Sequence, residues 1–391
     1  MDYTGTISVI GGGLTGLACA LRLAEAGQTV DLHEAAPMAG GRCRSWFDAE
    51  LGAVIDNGTH VAVGGNHALL AYATKIGSLA LIRPQPSLCL PMLDLTTGRR
   101  CDASLWSLLP EIIASRWRLQ GGSVADCLGR SGLYRSVWEP LTLAIFNCLP
   151  ALVPARHLAE VLRRTLWKGP AASRMLTFPQ GLSATLIDPA LQRLRDLGVR
   201  LRLSHPLRAI TPDRLCFDDG ETRLRPEDKV ILALPWHQAR RLLPNLPERS
   251  ARAIVNAHFR PPPETLKAMP PGGVMGLLGG EAQWIFSQNG LISATVSAAD
   301  HLLPLPSAEI AARLWRDCRQ ALGGSGDYRT VRVLKERRAT CEPLPQGEEM
   351  MVNSQLILAG DWLSKELPCS LEAAVTAAFR AADLALSPSK G

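Results

Sequence analysis

The chain has 391 residues, enough for two or three domains and an enclosed core. Hydrophobic residues make up 47% and charged residues 20%, which excludes wholesale disorder, a collagen-like chain and a coiled coil. The net charge of +6 is too mild and too scattered for a nucleic-acid face, though compatible with an anionic membrane surface. The first element is a β-rich run, Thr6 to Ile10, followed at once by Gly11-Gly12-Gly13-Leu14-Thr15-Gly16. A helical pattern comes next, with Leu14, Leu17, Ala18 and Leu21 on one face and Gly27 as its stop. A second strand over Thr29 to Glu34 completes a βαβ unit.

That context turns a weak Gly-x-Gly-x-x-Gly signal into a dinucleotide cradle. Gly11 serves the tight turn, Gly13 the backbone approach to a pyrophosphate, and Gly16 the packing of helix on strand. The helix N-terminus offers free N–H groups to phosphate. Glu34 stands where a carboxylate accepts hydrogen bonds from ribose hydroxyls. Two later segments resemble the remaining fingerprints of large FAD proteins: Gly40-Gly41-Arg42, and Leu356 to Leu358 running into Gly360-Asp361 with an Ala-rich helix after Leu371. Together they favour FAD over NAD.

Between these segments, alternating Val199, Leu201 and Leu203 and the apolar run Lys229 to Leu234 read as further strands of the same sheet. The segment 75–172 is mostly helical in pattern. Within it, Leu105, Leu108, Leu109 and Ile112 share a face, and Arg116 and Arg118 flank Trp117. A membrane-surface helix and a core helix with a basic edge both remain open there, and Pro110 is expected to interrupt the pattern. Trp284 to Phe286 and Leu291 to Val296 form a hairpin signal around Asn289-Gly290. The longest uncharged stretches, 140–155 and 282–299, carry proline or polar residues, so neither reads as a spanning helix. The ten cysteines include no Cys-x-x-Cys pair, so neither a metal site nor a redox dithiol is expected. With the first strand so near the start, the reduced cytoplasm is the expected compartment, with contact at the inner face of the cytoplasmic membrane as a further expectation.

Taken in order, the glycine segment with Glu34, Gly40-Gly41-Arg42, Asp56-Asn57-Gly58-Thr59-His60, Lys335-Glu336-Arg337-Arg338-Ala339-Thr340, and the tail from Ala359 to Glu372 resemble the squalene-associated FAD-dependent desaturase-like family, the hydroxysqualene dehydroxylases. Departures are Ala36, in place of an arginine two residues after the acid, together with Cys341, Cys369 and Ala373. The resemblance implies an α/β fold: a Rossmann-like FAD-binding domain of the amine-oxidase-like type, with an interleaved α+β substrate domain and a helical insert. The FAD-binding parts are then 1–74, 173–240 and 331–391, the insert 75–172, and the substrate domain with its hairpin 241–330.

It also implies FAD as cofactor, held by Gly11, Gly13, Leu14, Thr15, Gly16, Glu34, Gly40, Gly41, Arg42, Gly58, Thr59, Leu207, Gly360, Asp361, Ser370 and Leu371. The reaction implied is removal of an allylic hydroxyl from a C30 isoprenoid in a long apolar tunnel lined by the inserts. Candidates for the acid are His60, Asp56 and Glu372; the alternatives are a structural, backbone-bonded histidine for His60, orientation of its loop or of a cofactor hydroxyl for Asp56, and a cap on the last helix for Glu372. Rival readings on the same fold are an isoprenoid or carotenoid desaturase, an amine oxidase (for which only four Tyr and seven Phe could build an aromatic cage) and a flavin-free prenyl-chain carrier. The sequence names no electron donor.

Overall fold

A computed structural model describes residues 5–324, 326–343 and 350–387. Five short parallel strands form its first sheet, in the order Arg200–Arg202, Thr29–His33, Thr6–Ile10, Lys229–Leu232, Leu356–Leu358. Lys229–Leu232 and Leu356–Leu358 are buried on both faces, as expected of a parallel sheet sandwiched between helices. The sheet is assembled from chain segments more than 300 residues apart. The first strand has neighbours on both sides that leave in opposite directions, so a crevice opens beyond its carboxyl end, where α/β sheets bind ligands.

The first helix, Leu14–Glu25, and the last, Leu371–Leu386, pack together over this sheet. Ten of the twelve residues of the first helix are buried. Arg22 pairs with Asp383 at 2.7 Å and lies over the Phe379 ring. Small residues of the last helix, Ala374, Ala378, Ala381 and Ala382, let the two backbones approach.

A second, seven-stranded mixed sheet stands beside the first, in the order Val331–Cys341, Ala251–Phe259, Leu291–Ser297, Trp284–Gln288, Val274–Leu278, Cys89–Asp94, Arg100–Ser104. The hairpin at Asn289-Gly290 is present, with φ of 55° and 74°, both positive as a type I′ turn requires. The sheet crosses the limits drawn from sequence. The 75–172 segment contributes the hairpin 89–104 to it, and 331–341 is its edge strand and not part of the parallel sheet.

Apart from the short strand Arg83–Pro84, which pairs with Met175–Thr177, the rest of 75–172 is mostly helical, with a core of its own that includes Leu119, Val124, Trp138, Phe146 and Leu158. Pro110 does not interrupt the Leu109–Arg118 helix, because it sits in the first turn, where its missing N–H costs nothing. Leu105, Leu108, Ile112 and Leu119 face inward and are buried. Trp106 (76% exposed), Leu109 (39%), Ile113 (51%) and Trp117 (79%) share the outer stripe.

Candidate cofactor and active site

A cavity of about 690 Å³ lies beyond the carboxyl ends of the parallel strands, within the size range of cofactor sites. The local chain geometry explains why it exists. Gly11 has φ +108°, and a Cβ there would meet the Ala233 carbonyl at 2.4 Å. A Cβ on Gly16 would fall 1.8 Å from the Gly11 carbonyl, so the helix can only leave the strand this tightly with glycine. A Cβ on Gly13, by contrast, meets nothing within 4 Å; the cavity lies in front of it. The first helix begins at Gly13 with no side-chain cap and no acid in its first turn, so its N–H groups and positive dipole end stay available to a phosphate.

The three distant motifs meet here. The Gly40 N–H donates to the Gly12 carbonyl at 2.8 Å. Arg42 donates to Asp361 Oδ1 at 2.7 Å and to the Ala339 carbonyl at 2.6 Å. Asp361 holds the guanidinium firmly charged. Glu34 accepts from the Gly12 and Ala36 N–H groups at 2.6 and 2.7 Å, which fixes its carboxylate at the cavity wall. Gly360 is extended (φ 168°) and has no room for a side chain, since Trp362 Nε1 lies 2.4 Å from where a Cβ would be.

Of the residues expected to hold a cofactor, Gly11, Gly13, Leu14, Thr15, Glu34, Gly40, Gly41, Arg42, Gly58, Leu207, Gly360, Asp361, Ser370 and Leu371 line the cavity. Gly16 and Thr59 do not. Gly16 packs against the Gly11 backbone. The group tested by this wall is an anionic dinucleotide joined to an aromatic ring system. Capless helix N–H groups, a backbone stripped of Cβ atoms and the arginines Arg42, Arg44, Arg208, Arg241 and Arg338 fit such a group.

The three acid candidates part company. His60 lines the cavity; burial, then the charge of Arg42, lowers its imidazole to about pKa 4, so it is neutral at pH 7. Asp56 is corrected to a position outside the cavity. Its Oδ1 accepts from Ser45 Oγ at 2.5 Å and from the Leu182 N–H at 3.0 Å, and burial raises its pKa. Glu372 is corrected as well. It accepts from the Ala68 and Leu69 N–H groups at 3.1 and 2.9 Å, capping the first turn of a different helix, His67–Lys75. Ser370 caps the last helix, accepting from the Ala373 N–H.

The lining also includes His33, His205, His237, Gln238, Arg241 and Asn256, none of them in a motif legible from sequence, and Arg338 from the Lys335 to Thr340 segment. His237, Gln238 and Arg241 belong to a helix, Trp236–Leu242, that follows the strand Lys229–Leu232. Their place just past the carboxyl end of a parallel strand was a usable signal. His33 and His205 face each other, Nδ1 to Nδ1, at 2.9 Å, stacked on Phe217. Of the two inserts, 241–330 contributes Arg241, Leu242, Ile254 and Asn256 to this cavity, whereas its lining takes no residue from 75–172. Among the described residues, no group of three or more His, Cys, Asp or Glu is placed to hold a metal ion.

Comparison with known proteins agrees with this arrangement. The family described as flavin containing amine oxidoreductase matches residues 14–386. A protein of Rhodopseudomonas palustris named hydroxysqualene dehydroxylase is 38% identical over 98% of this chain and 98% of its own. One of the same name from Sinorhizobium fredii is 36% identical over 97% and 98%. An oxidoreductase structure from Methanosarcina mazei superposes with a TM-score of 0.77 at 15% identity, over 96% of this chain and 99% of that one.

Proposed function

The chain belongs to the flavin containing amine oxidoreductase family and, within it, to the hydroxysqualene dehydroxylases; from that premise we propose that it reduces hydroxysqualene to squalene, with loss of water. The observation that carries this reading is the convergence of the Gly11, Gly40 and Gly360 segments on one cavity. FAD is the cofactor. When bound and reduced it supplies a hydride equivalent.

The chain's residues do the rest. The Gly11–Gly13 backbone and the first helix would bind the pyrophosphate. Glu34 would orient a ribose. The Arg42–Asp361 pair ties the second and third motifs together. Hydroxide is a poor leaving group, and its departure needs a hydrogen-bond donor at the oxygen. His60 is the acid candidate whose side chain reaches the cavity. Being neutral, it would hold a hydrogen bond to the departing oxygen without adding a repelling charge beside an allylic carbon that becomes positive, and the proton that completes the departing water would be drawn from solvent. Ile254 and Leu234, apolar residues of the same cavity wall, would limit the water that could recapture that carbon.

Anaerobic mixing of the reduced, FAD-loaded protein with hydroxysqualene is expected to yield squalene as flavin reoxidises. Reoxidation without squalene, or no reoxidation, rejects the assignment. His60→Ala is expected to slow single-turnover reoxidation by about 10²-fold, the usual size of a lost proton-handling group; an unchanged rate removes His60 from the reaction.

The substrate is a C30 isoprenoid alcohol and the product a C30 hydrocarbon, and the same proposal brings the protein to the membrane that dissolves them, at the inner face of the cytoplasmic membrane. No helix of the described residues is long and apolar enough to cross a bilayer, so the contact is one-sided. The outer stripe Trp106, Leu109, Ile113 and Trp117, with Arg116 and Arg118 beside it, has the apolar and basic composition of an interfacial helix.

A further inference from the structure

Two of the chain's departures from its family pattern, Cys341 and Cys369, lie 28 residues apart in sequence yet side by side in space. Cys341 is the last residue of the edge strand Val331–Cys341, held to Ala251 of the neighbouring strand. Cys369 sits between Pro368 and Ser370, in the loop that leads into the last helix. The Cys369 Sγ lies 3.9 Å from the Cys341 carbonyl, close enough for the two thiols to act on each other. Both line a small side cavity with Arg42, His237, Asp361 and Trp362, and Cys369 also lines the main cavity. Neither is fully buried.

We propose that Cys341 and Cys369 form a reversible disulfide in the wall of the cofactor cavity, a clasp joining the end of the second sheet to the loop that starts the last helix. Their chemistry is unequal, as thiol–disulfide exchange requires. The neighbouring Cys369 thiol, then the charges of Arg249 and Arg42, hold the Cys341 thiol below its ordinary range against the effect of burial. The nearness of Cys341, and burial, hold Cys369 well above its own. We assign attack to Cys341 and resolution to Cys369 on these directions together with the Arg42 wall they share.

Oxidation by a small disulfide, RSSR, balances in two exchanges. The Cys341 thiolate attacks one sulfur of RSSR, forming a Cys341–S–S–R bond and releasing RS⁻. Cys369 passes its proton to that thiolate and displaces the second RS⁻, which takes up a proton from water. Two cysteine thiols lose two electrons, and RSSR gains them as two RSH. A dithiol reverses both steps. The clasp pins Cys369 beside Ser370 and Leu371, both of which line the cofactor cavity, so oxidation slows the exit of the cofactor. This inference is independent of the isoprenoid substrate.

The test equilibrates the full-length FAD-loaded protein in glutathione buffers of stepped ratio, traps free thiols by alkylation and identifies peptides by mass. A linked 341–369 peptide at oxidising ratios, removed by dithiothreitol, is expected. Alkylation of both residues at every ratio, or a link from either to another cysteine, overturns the proposal. Flavin release, followed by fluorescence after dilution, is expected to slow on oxidation in the wild type and not in Cys341→Ser. Equal release rates in oxidised and reduced wild type overturn the clasp even if the disulfide forms. The wild-type measurements decide the matter if the variant does not fold.

Discussion

The first helix, Leu14–Glu25, and the insert helix, Leu109–Arg118, carry similar amphipathic periodicity and end in opposite situations. The first is buried on nearly every side, and what it leaves open is its polar N-terminus, facing the cavity. The second buries one face through Ile112 and Ser115 and turns Trp117, Leu109 and Ile113 outward, with Trp106 exposed in the turn just before it. Periodicity says only that a face is apolar. Whether that face meets protein or something else is decided by what the rest of the chain places opposite it. In the first helix the specificity lies in missing atoms, the absent Cβ groups of Gly11, Gly13 and Gly16; in the second it lies in surplus apolar surface.

The contrast breaks most visibly at Gly16. Gly16→Val puts side-chain atoms into the Gly11 carbonyl and is expected to destabilise the fold by about 3 kcal/mol or more, with loss of FAD. A lowered thermal midpoint and a colourless purified protein are the readouts, and retained flavin at an unchanged midpoint would show that helix and strand can separate.

The next effect concerns the tie between motifs. Arg42→Met removes the partner of Asp361, whose carboxylate is only 9% exposed. The guanidinium itself is about one-third exposed, so a cost of about 1–3 kcal/mol is expected, below that of a fully buried pair. Titration of apoprotein with FAD checks this through a weaker dissociation constant.

Acid probes the buried histidines on both sides of the molecule. His33, beside the cavity, and His258, inside the second sheet, are each lowered to about pKa 4, chiefly by burial. Unfolded, both titrate near 6.5. The unfolded chain therefore binds more protons between pH 6.5 and 4. Stability is full above about pH 6.5 and falls as pH drops through that window. Urea unfolding at pH 7 and pH 5 is expected to differ by on the order of 1–2 kcal/mol per histidine, and His258→Phe should shrink the difference.

The smallest effect on stability belongs to the insert helix. The double variant Trp106→Ser, Trp117→Ser is expected to change stability by less than about 0.5 kcal/mol, because both rings are more than three-quarters exposed. It should nevertheless lower sedimentation with phosphatidylglycerol vesicles. Equal sedimentation would leave the outer stripe without a membrane role.

The residues themselves show how far local chemistry reaches. Gly11 to Gly16, Gly40 to Arg42 and Gly360-Asp361 were legible because a cradle made of backbone has few chemical solutions, and each is written within a handful of neighbouring residues. The Asn289-Gly290 hairpin was legible for the same reason, since positive φ at two successive positions restricts the residue types. The partner of Glu372 was not legible. Its carboxylate suits its own helix as well as any other, and only the fold brings the N-terminus of His67–Lys75 against it, 304 residues away in sequence. Asp56 is not an acid at the cavity, because Ser45 and Leu182 claim its carboxylate, and only the fold brings Leu182 to it; those bonds suit the loop-orienting alternative. The hairpin 89–104 was hidden by its helical surroundings, and its pairing with Val274–Leu278 is a long-range event.

By itself, then, the sequence determined where a phosphate-binding backbone could form, because glycine's missing Cβ and a free helix N-terminus act over a few residues. Tertiary structure alone decided which acids reach the cavity, which cysteines touch and which apolar stripe stays outside. Those are contacts between side chains far apart along the chain, and neighbouring residues carry no physical record of them.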